Sequence, residues 1–469
     1  MIAEHVLFQS VGELSAEIRA RRLSPVELTR AYLDRIRRHA HLNAFARTTP
    51  ELALEQARTA EKEIASGRWR GPLHGIPYGA KDLLATAGIP TTWGARPCDG
   101  QMFRDDATVV RRLREAGAIL LGKLAVVEFA GGLGYRSAFA SSSGPGRNPW
   151  DPDRWTGGSS SGSGAAVAAG LVAFAIGTET WGSILCPSAF CGVTGLRPTY
   201  GRVSRHGAMA CSYSYDKIGP LARSAADCRL VLNAIAGADP ADPTTATEPA
   251  RFEARDARPL ARLRAGVLRV DFAKTPGAQA EVGRAFDGAV AALSLLGLQI
   301  DEVKLPDVPA SEVAGVIITA EALSSFERFY RDGSIRRAVD PYAPLQREIN
   351  AAIRGDDLVK AWRVRRAIQH EVDGFFAGHD VVVAPNFLSV APKVSEDLYQ
   401  ALPYPDPLGA IGNTCGLPAI ALPCGFGRER MPAGFQIVAA PFEEATLLAL
   451  GERYQARTAF HRERPPRAS

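Results

Sequence analysis

The 469-residue chain has no apolar run long enough to cross a bilayer. Its longest stretch free of charge and strong polarity, residues 165–177, is thirteen residues and holds two glycines, where a spanning helix needs roughly 20. No membrane is therefore expected. An excess of one charge is also lacking. Lys and Arg total 55 against 50 Asp and Glu, a net +5, which is too diffuse to imply nucleic acid. Cysteines are few and scattered, seven in all, with no C-x-x-C spacing. That argues against a disulfide framework or a zinc site and for reduced thiols in a cytoplasmic protein. Met1-Ile2-Ala3-Glu4-His5 lacks the basic-then-apolar pattern of a secretory signal, in keeping with that location. Internal repeats are absent. What is present is 46% apolar and 22% charged residues, enough to bury a core without metal or disulfide staples.

Ser24-Pro25-Val26-Glu27 reads as a capping box with proline at the first helical position, and Leu28, Tyr32 and Ile36 follow on one face. The segment 75–82, Gly-Ile-Pro-Tyr-Gly-Ala-Lys-Asp, reads as a buried strand end that carries a lysine. Residues 108–116 predict a helix closed by Gly117, and 118–121 a strand. A Gly/Ser/Pro-rich stretch, 130–164, leads into a small-residue helix at 165–169. A strand at 171–176 follows, then the turn Gly177-Thr178-Glu179-Thr180-Trp181-Gly182-Ser183. Ser224 opens another capped helix that ends at Gly237. Short strands are expected at 381–384 and 419–422. The Pro/Asp/Thr/Arg-rich stretch 238–262 is the candidate surface excursion. Alternating helices and strands predict one large α/β layered domain over 1–469.

Two glycine motifs fail on context. Gly117 to Leu124 nearly spells a phosphate-binding loop, but Leu124 stands where magnesium needs Ser or Thr, and the intervening segment is strand-like. Gly158-Ser159-Ser160-Ser161-Gly162 fits a nucleophile elbow, yet no strand precedes it. A plain linker is no better, because the segment runs straight into an Ala/Val helix.

Three features remain: a lysine in an apolar setting, a Gly/Ser loop, and a serine on a Gly-rich turn after a strand. Residues 156–172, 176–184 and 190–204 resemble the amidase signature. The likeness extends to 75–81, 216–220 and 416–425, with a signature core at about 70–235. The resemblance implies an α/β/α layered fold with a large mixed central sheet flanked by helices. It also implies a Ser–cisSer–Lys triad: nucleophile Ser183, bridging Ser159 on a cis peptide, and Lys81. Thr180, Trp181 and Gly182 would supply the oxyanion hole. No cofactor and no metal are implied. The chemistry is consistent, because attack on an amide needs a hydroxyl that loses its proton. Lysine accepts that proton only when burial has lowered its pKa from roughly 10.4.

The sequence departs from the family pattern at 179, 181 and 185, where Glu, Trp and Leu replace the usual Asp, Gly and Arg. The customary Asp–Arg brace is thus missing in that form, and Glu179 needs another cation, solvent or a proton. Trp181, Tyr213 and Tyr215 are expected to line an apolar pocket. Arg365 and Asp406 stand where glutamine-using members place groups for the substrate carboxylate and amine. The leading expectation is an amide hydrolase working through a Ser183 acyl-enzyme on a small-molecule amide, ester or carbamate. It would involve neither nucleic acid nor membrane, with a homodimer as one option for assembly and the oligomeric state left open. The alternative is the glutaminase component of a tRNA-dependent amidotransferase.

Overall fold

A computed structural model describes residues 2–250, 252–404 and 406–466. Eleven strands among these residues form one mixed sheet. In chain order they are β1 (Phe45–Thr48), β2 (Pro77–Lys81), β3 (Ile119–Leu124), β4 (Phe174–Glu179), β5 (Thr194–Arg197) and β6 (Lys217–Ala222). Then come β7 (Arg264–Leu268), β8 (Gln299–Val303), β9 (Val381–Pro385), β10 (Ala419–Phe426) and β11 (Pro432–Ala439). Their order in space is β1-β3-β2-β4-β6-β5-β10-β11-β9-β7-β8. β2 runs parallel to both β3 and β4, while β6 is antiparallel to both β4 and β5. The layered α/β architecture with a mixed sheet is the one expected.

Every residue of β2, β3, β4 and β6 is buried. Strands covered on both faces carry continuous apolar runs rather than alternation, which is why Ile119–Leu121 and Phe174–Ile176 read as strands in the sequence. Polar residues inside such runs, Lys81, Lys123, Glu179 and Lys217, then need partners within the protein.

The expected elements recur with shifted ends. Ser24 caps the helix Pro25–Arg38 by accepting from Glu27 N. The small-residue helix begins four residues early, at Ser161, and the strand after it runs Phe174–Glu179, three residues later than read. The excursion at 238–262 is pinned down. Asp239 Oδ2 accepts from Thr108 and Ser204, both at 2.6 Å, and Phe252 is buried beside the Arg202 guanidinium. Among the described residues no helix is long and apolar enough to cross a membrane.

Candidate active site

Lys81 ends β2 fully buried. Its Nζ lies 2.8 Å from Ser159 Oγ and 2.9 Å from Thr178 Oγ1, and it also reaches the Thr178 carbonyl at 3.3 Å. Burial drives the lysine from 10.5 down to about 7; the carboxylates of Asp216 and Glu179 oppose that shift without cancelling it. An amine in that range is neutral often enough to take a proton at physiological pH.

The Gly158–Ser159 peptide is cis. Gly157 before it has φ +80°, and a Cβ there would sit 2.9 Å from Cys186 Sγ and the Pro187 backbone. Only glycine fits that corner. Ser160, Ser161 and Ser163 spend their hydroxyls on the carbonyls of Thr178, Ala125 and Ile176. Ser160 N also donates to the Ser183 carbonyl at 3.3 Å, so the two serine-bearing segments are tied together.

The turn from Thr180 to Ser183 is held from several sides. Glu179 and Arg197 form a fully buried ion pair at 2.7 Å. The other Glu179 oxygen accepts the Ile184 and Leu185 N–H groups at 2.9 and 3.1 Å, where the helix Leu185–Cys191 begins. Burial alone would raise Glu179, but the Arg197 and Lys217 charges and these donors outweigh it and hold it ionised. Arg197 on β5 thus supplies the cation that was unidentified in the sequence. Thr180 Oγ1 donates to Asp216 Oδ1 at 2.5 Å. Among the described residues, the N–H groups of Trp181, Gly182 and Ser183 find no acceptor. Unpaired backbone donors are rare away from solvent, and three in succession make a ready anion cradle.

The remaining expected residues form two pairs, Trp181 with Asp406 and Tyr215 with Arg365, and leave Tyr213 apart. Tyr215 is buried beneath the Arg365 guanidinium, 4.2 Å away, and its hydroxyl meets Thr414 Oγ1. Tyr213 is 55% exposed and lies against Arg205. Of the three rings only Tyr213 lines the cavity of about 210 Å³ that opens beside Thr178, along with Met209, Cys211, Asp216 and Lys217. Trp181 packs half-buried at Gly409, where a Cβ would collide with both its Nε1 and Asp406 Oδ2. Arg365 is buried, and each of its nitrogens donates once, to the Thr414 carbonyl and to Ser214 Oγ and O, three of its five N–H groups. Asp406 accepts from Gln436 Nε2 at 2.8 Å, and burial raises its carboxyl to about 6. Lys123, from the near-phosphate-loop motif, is buried on the Leu84 carbonyl and Thr91 Oγ1.

The sequence pattern of the family described as amidase matches residues 27–448, and the chain belongs to this amidase signature family. It is an enzyme that hydrolyses carbon–nitrogen bonds. It is 39% identical to the A-type component of the glutamyl-tRNA(Gln) amidotransferase of Cupriavidus taiwanensis, with 98% of each chain covered. The peptide amidase of Stenotrophomonas maltophilia matches at TM-score 0.84 and 32% identity, over 98% of both chains. A 6-aminohexanoate cyclic dimer hydrolase matches at TM-score 0.87 and 27% identity, over 99% of this chain and 100% of that one.

These relatives correct one expectation. A small-molecule substrate with no nucleic acid does not agree with relatives named for glutamyl-tRNA amidotransfer along their whole length. Charge balance misled because it tests for a basic binding face. A chain can take part in a tRNA-linked reaction without carrying that face itself, so a net +5 is silent on the matter.

Proposed function

We propose that this chain is the amide-hydrolysing component of a tRNA-dependent amidotransferase, releasing ammonia from glutamine. The observation that carries the chemistry is the buried Lys81 Nζ, 2.8 Å from Ser159 Oγ. The nitrogen-donor role is supported by relatives at 39% identity over nearly the full chain.

In this reading neutral Lys81 takes the proton of Ser159 while Ser159 takes that of Ser183. Ser183 Oγ bonds to the amide carbon. The carbonyl oxygen gains charge facing the N–H groups of the turn 181–183, where one such donor contributes about 3–4 kcal/mol to the transition state. The C–N bond then breaks, and the proton returns through Ser159 to the departing nitrogen. Water cleaves the acyl-serine by the same relay in reverse. A tRNA-linked role agrees with the cytoplasmic location inferred from the cysteines.

The half-buried indole of Trp181 favours one further reading, partner-free hydrolysis of an amide that bears an apolar group. One assay decides between them: ammonia release from glutamine by the purified chain, alone and with the other amidotransferase components and glutamyl-tRNA. The expected result is glutamine turnover that rises on assembly. Brisk partner-free turnover of aryl or alkyl amides, with glutamine inert in both settings, would overturn it.

A further inference from the structure

A second lysine, Lys217, lies beside the nucleophile turn and has no part in the proton relay. It opens β6 directly opposite Glu179 of β4 and is 2% exposed. Among the described residues no carboxylate comes within ion-pair distance of it. Its Nζ instead donates to two backbone carbonyls, those of Tyr215 and, at 3.4 Å, Thr180. The Glu179 charge acts on it from beyond contact distance, so the groups its Nζ touches directly are these two carbonyls.

Thr180 begins the turn whose next three N–H groups have no acceptor. The 180–181 peptide is trans. In a planar trans peptide the carbonyl and the following N–H point in opposite directions. A lysine that holds the Thr180 carbonyl on one side therefore turns the Trp181 N–H to the other. The Thr180 hydroxyl, fixed on Asp216, leaves the residue little freedom to rotate.

We propose that Lys217 is a positioning residue: by gripping the Thr180 carbonyl it aims the Trp181 N–H at the oxyanion formed when Ser183 attacks. This rests on the assignment of Ser183 as nucleophile. Lys217 touches no reacting atom.

The test uses an alkyl fluorophosphonate on the full chain, so no natural substrate is required. Ser183 Oγ bonds to phosphorus, the P–F bond breaks, fluoride leaves, and the hydroxyl proton passes through Ser159 to Lys81. The phosphoryl oxygen takes the place of the oxyanion. Labelling is located by mass spectrometry and its rate followed against pH. Lys217→Met is expected to label about 10- to 100-fold more slowly, less than the loss of a donor outright, with the pH inflection unmoved near the Lys81 value of about 7. Lys217→Gln, a polar side chain too short for the Thr180 carbonyl, serves if the methionine variant fails to fold, and it too is expected to be slow. A folded variant that labels within threefold of the parent overturns the proposal. So does a slowed variant whose inflection moves, because the loss then runs through Lys81. If the parent is not labelled at Ser183, or Ser183→Ala still labels, the nucleophile assignment itself fails.

Discussion

Lys81→Met separates the stability contribution of the buried lysine from its chemistry. In the folded chain the amine titrates at about 7, against 10.5 without burial. Between those values the unfolded chain binds one proton more than the folded chain, so the stability of the parent rises with pH. The penalty is complete below pH 7 and gone above 10.5. Linkage puts it at about 4 kcal/mol near pH 7.5 and about 1.4 kcal/mol near pH 9.5. Methionine does not titrate. Hydrogen bonds to Ser159 and Thr178 are lost in the variant at both pH values, so they cancel when the two conditions are compared. Urea titrations of parent and variant at both pH values should therefore show their stability difference moving by about 2.5 kcal/mol in favour of the parent as pH rises. All other titrating groups are common to both proteins. A difference that stayed constant within about 0.5 kcal/mol would refute a lysine that is neutral and desolvated in the folded state.

The same lysine sets the pH profile of activity. With a base titrating at about 7, kcat/KM should climb about tenfold from about pH 6 to about pH 8 and then level; a steady climb toward pH 10 would mean the amine is not desolvated. Glu179→Gln strands the buried Arg197 guanidinium and should lower unfolding free energy by about 3–5 kcal/mol in urea titration. A loss under about 1 kcal/mol would show that the pair does not hold the turn. Gly409→Ala drives a Cβ into Trp181 and Asp406 and should cost about 1–3 kcal/mol. That cost should shrink in a Trp181→Gly background, and an equal cost in both would place the indole elsewhere.

The parts of the site that could be read in the sequence are those written in short local segments. Lys81 ends an apolar strand, Ser159 follows two glycines, and Ser183 closes a Gly-rich turn, so each carries its context beside it. Arg197 as the partner of Glu179 was hidden because it joins strands 18 residues apart, and nothing near 197 announces a charge partner. Lys217 was hidden for the same reason, since a lysine one residue after Asp216 looks like any surface charge until β6 is seen to be buried. Arg365 and Tyr215 show the reverse case. Their side-chain types suggested recognition, and the structure adds packing against Thr414, Ser214 and each other that no local segment announces. Element ends shifted by a few residues because Ser161 and its neighbours turn helical through backbone contacts that composition does not encode.

The Glu179–Arg197 pair has a consequence for how descendants of this chain can vary. β6 runs between β4 and β5, so the carboxylate has to reach across a strand, and glutamate is one methylene longer than aspartate. A lineage that neutralises position 179 leaves a guanidinium without its counter-charge in the interior, and one that neutralises 197 leaves a carboxylate in the same plight. Either single step is a valley. The passable route is a double exchange, in which both positions change together and the charge is re-hosted elsewhere around the turn.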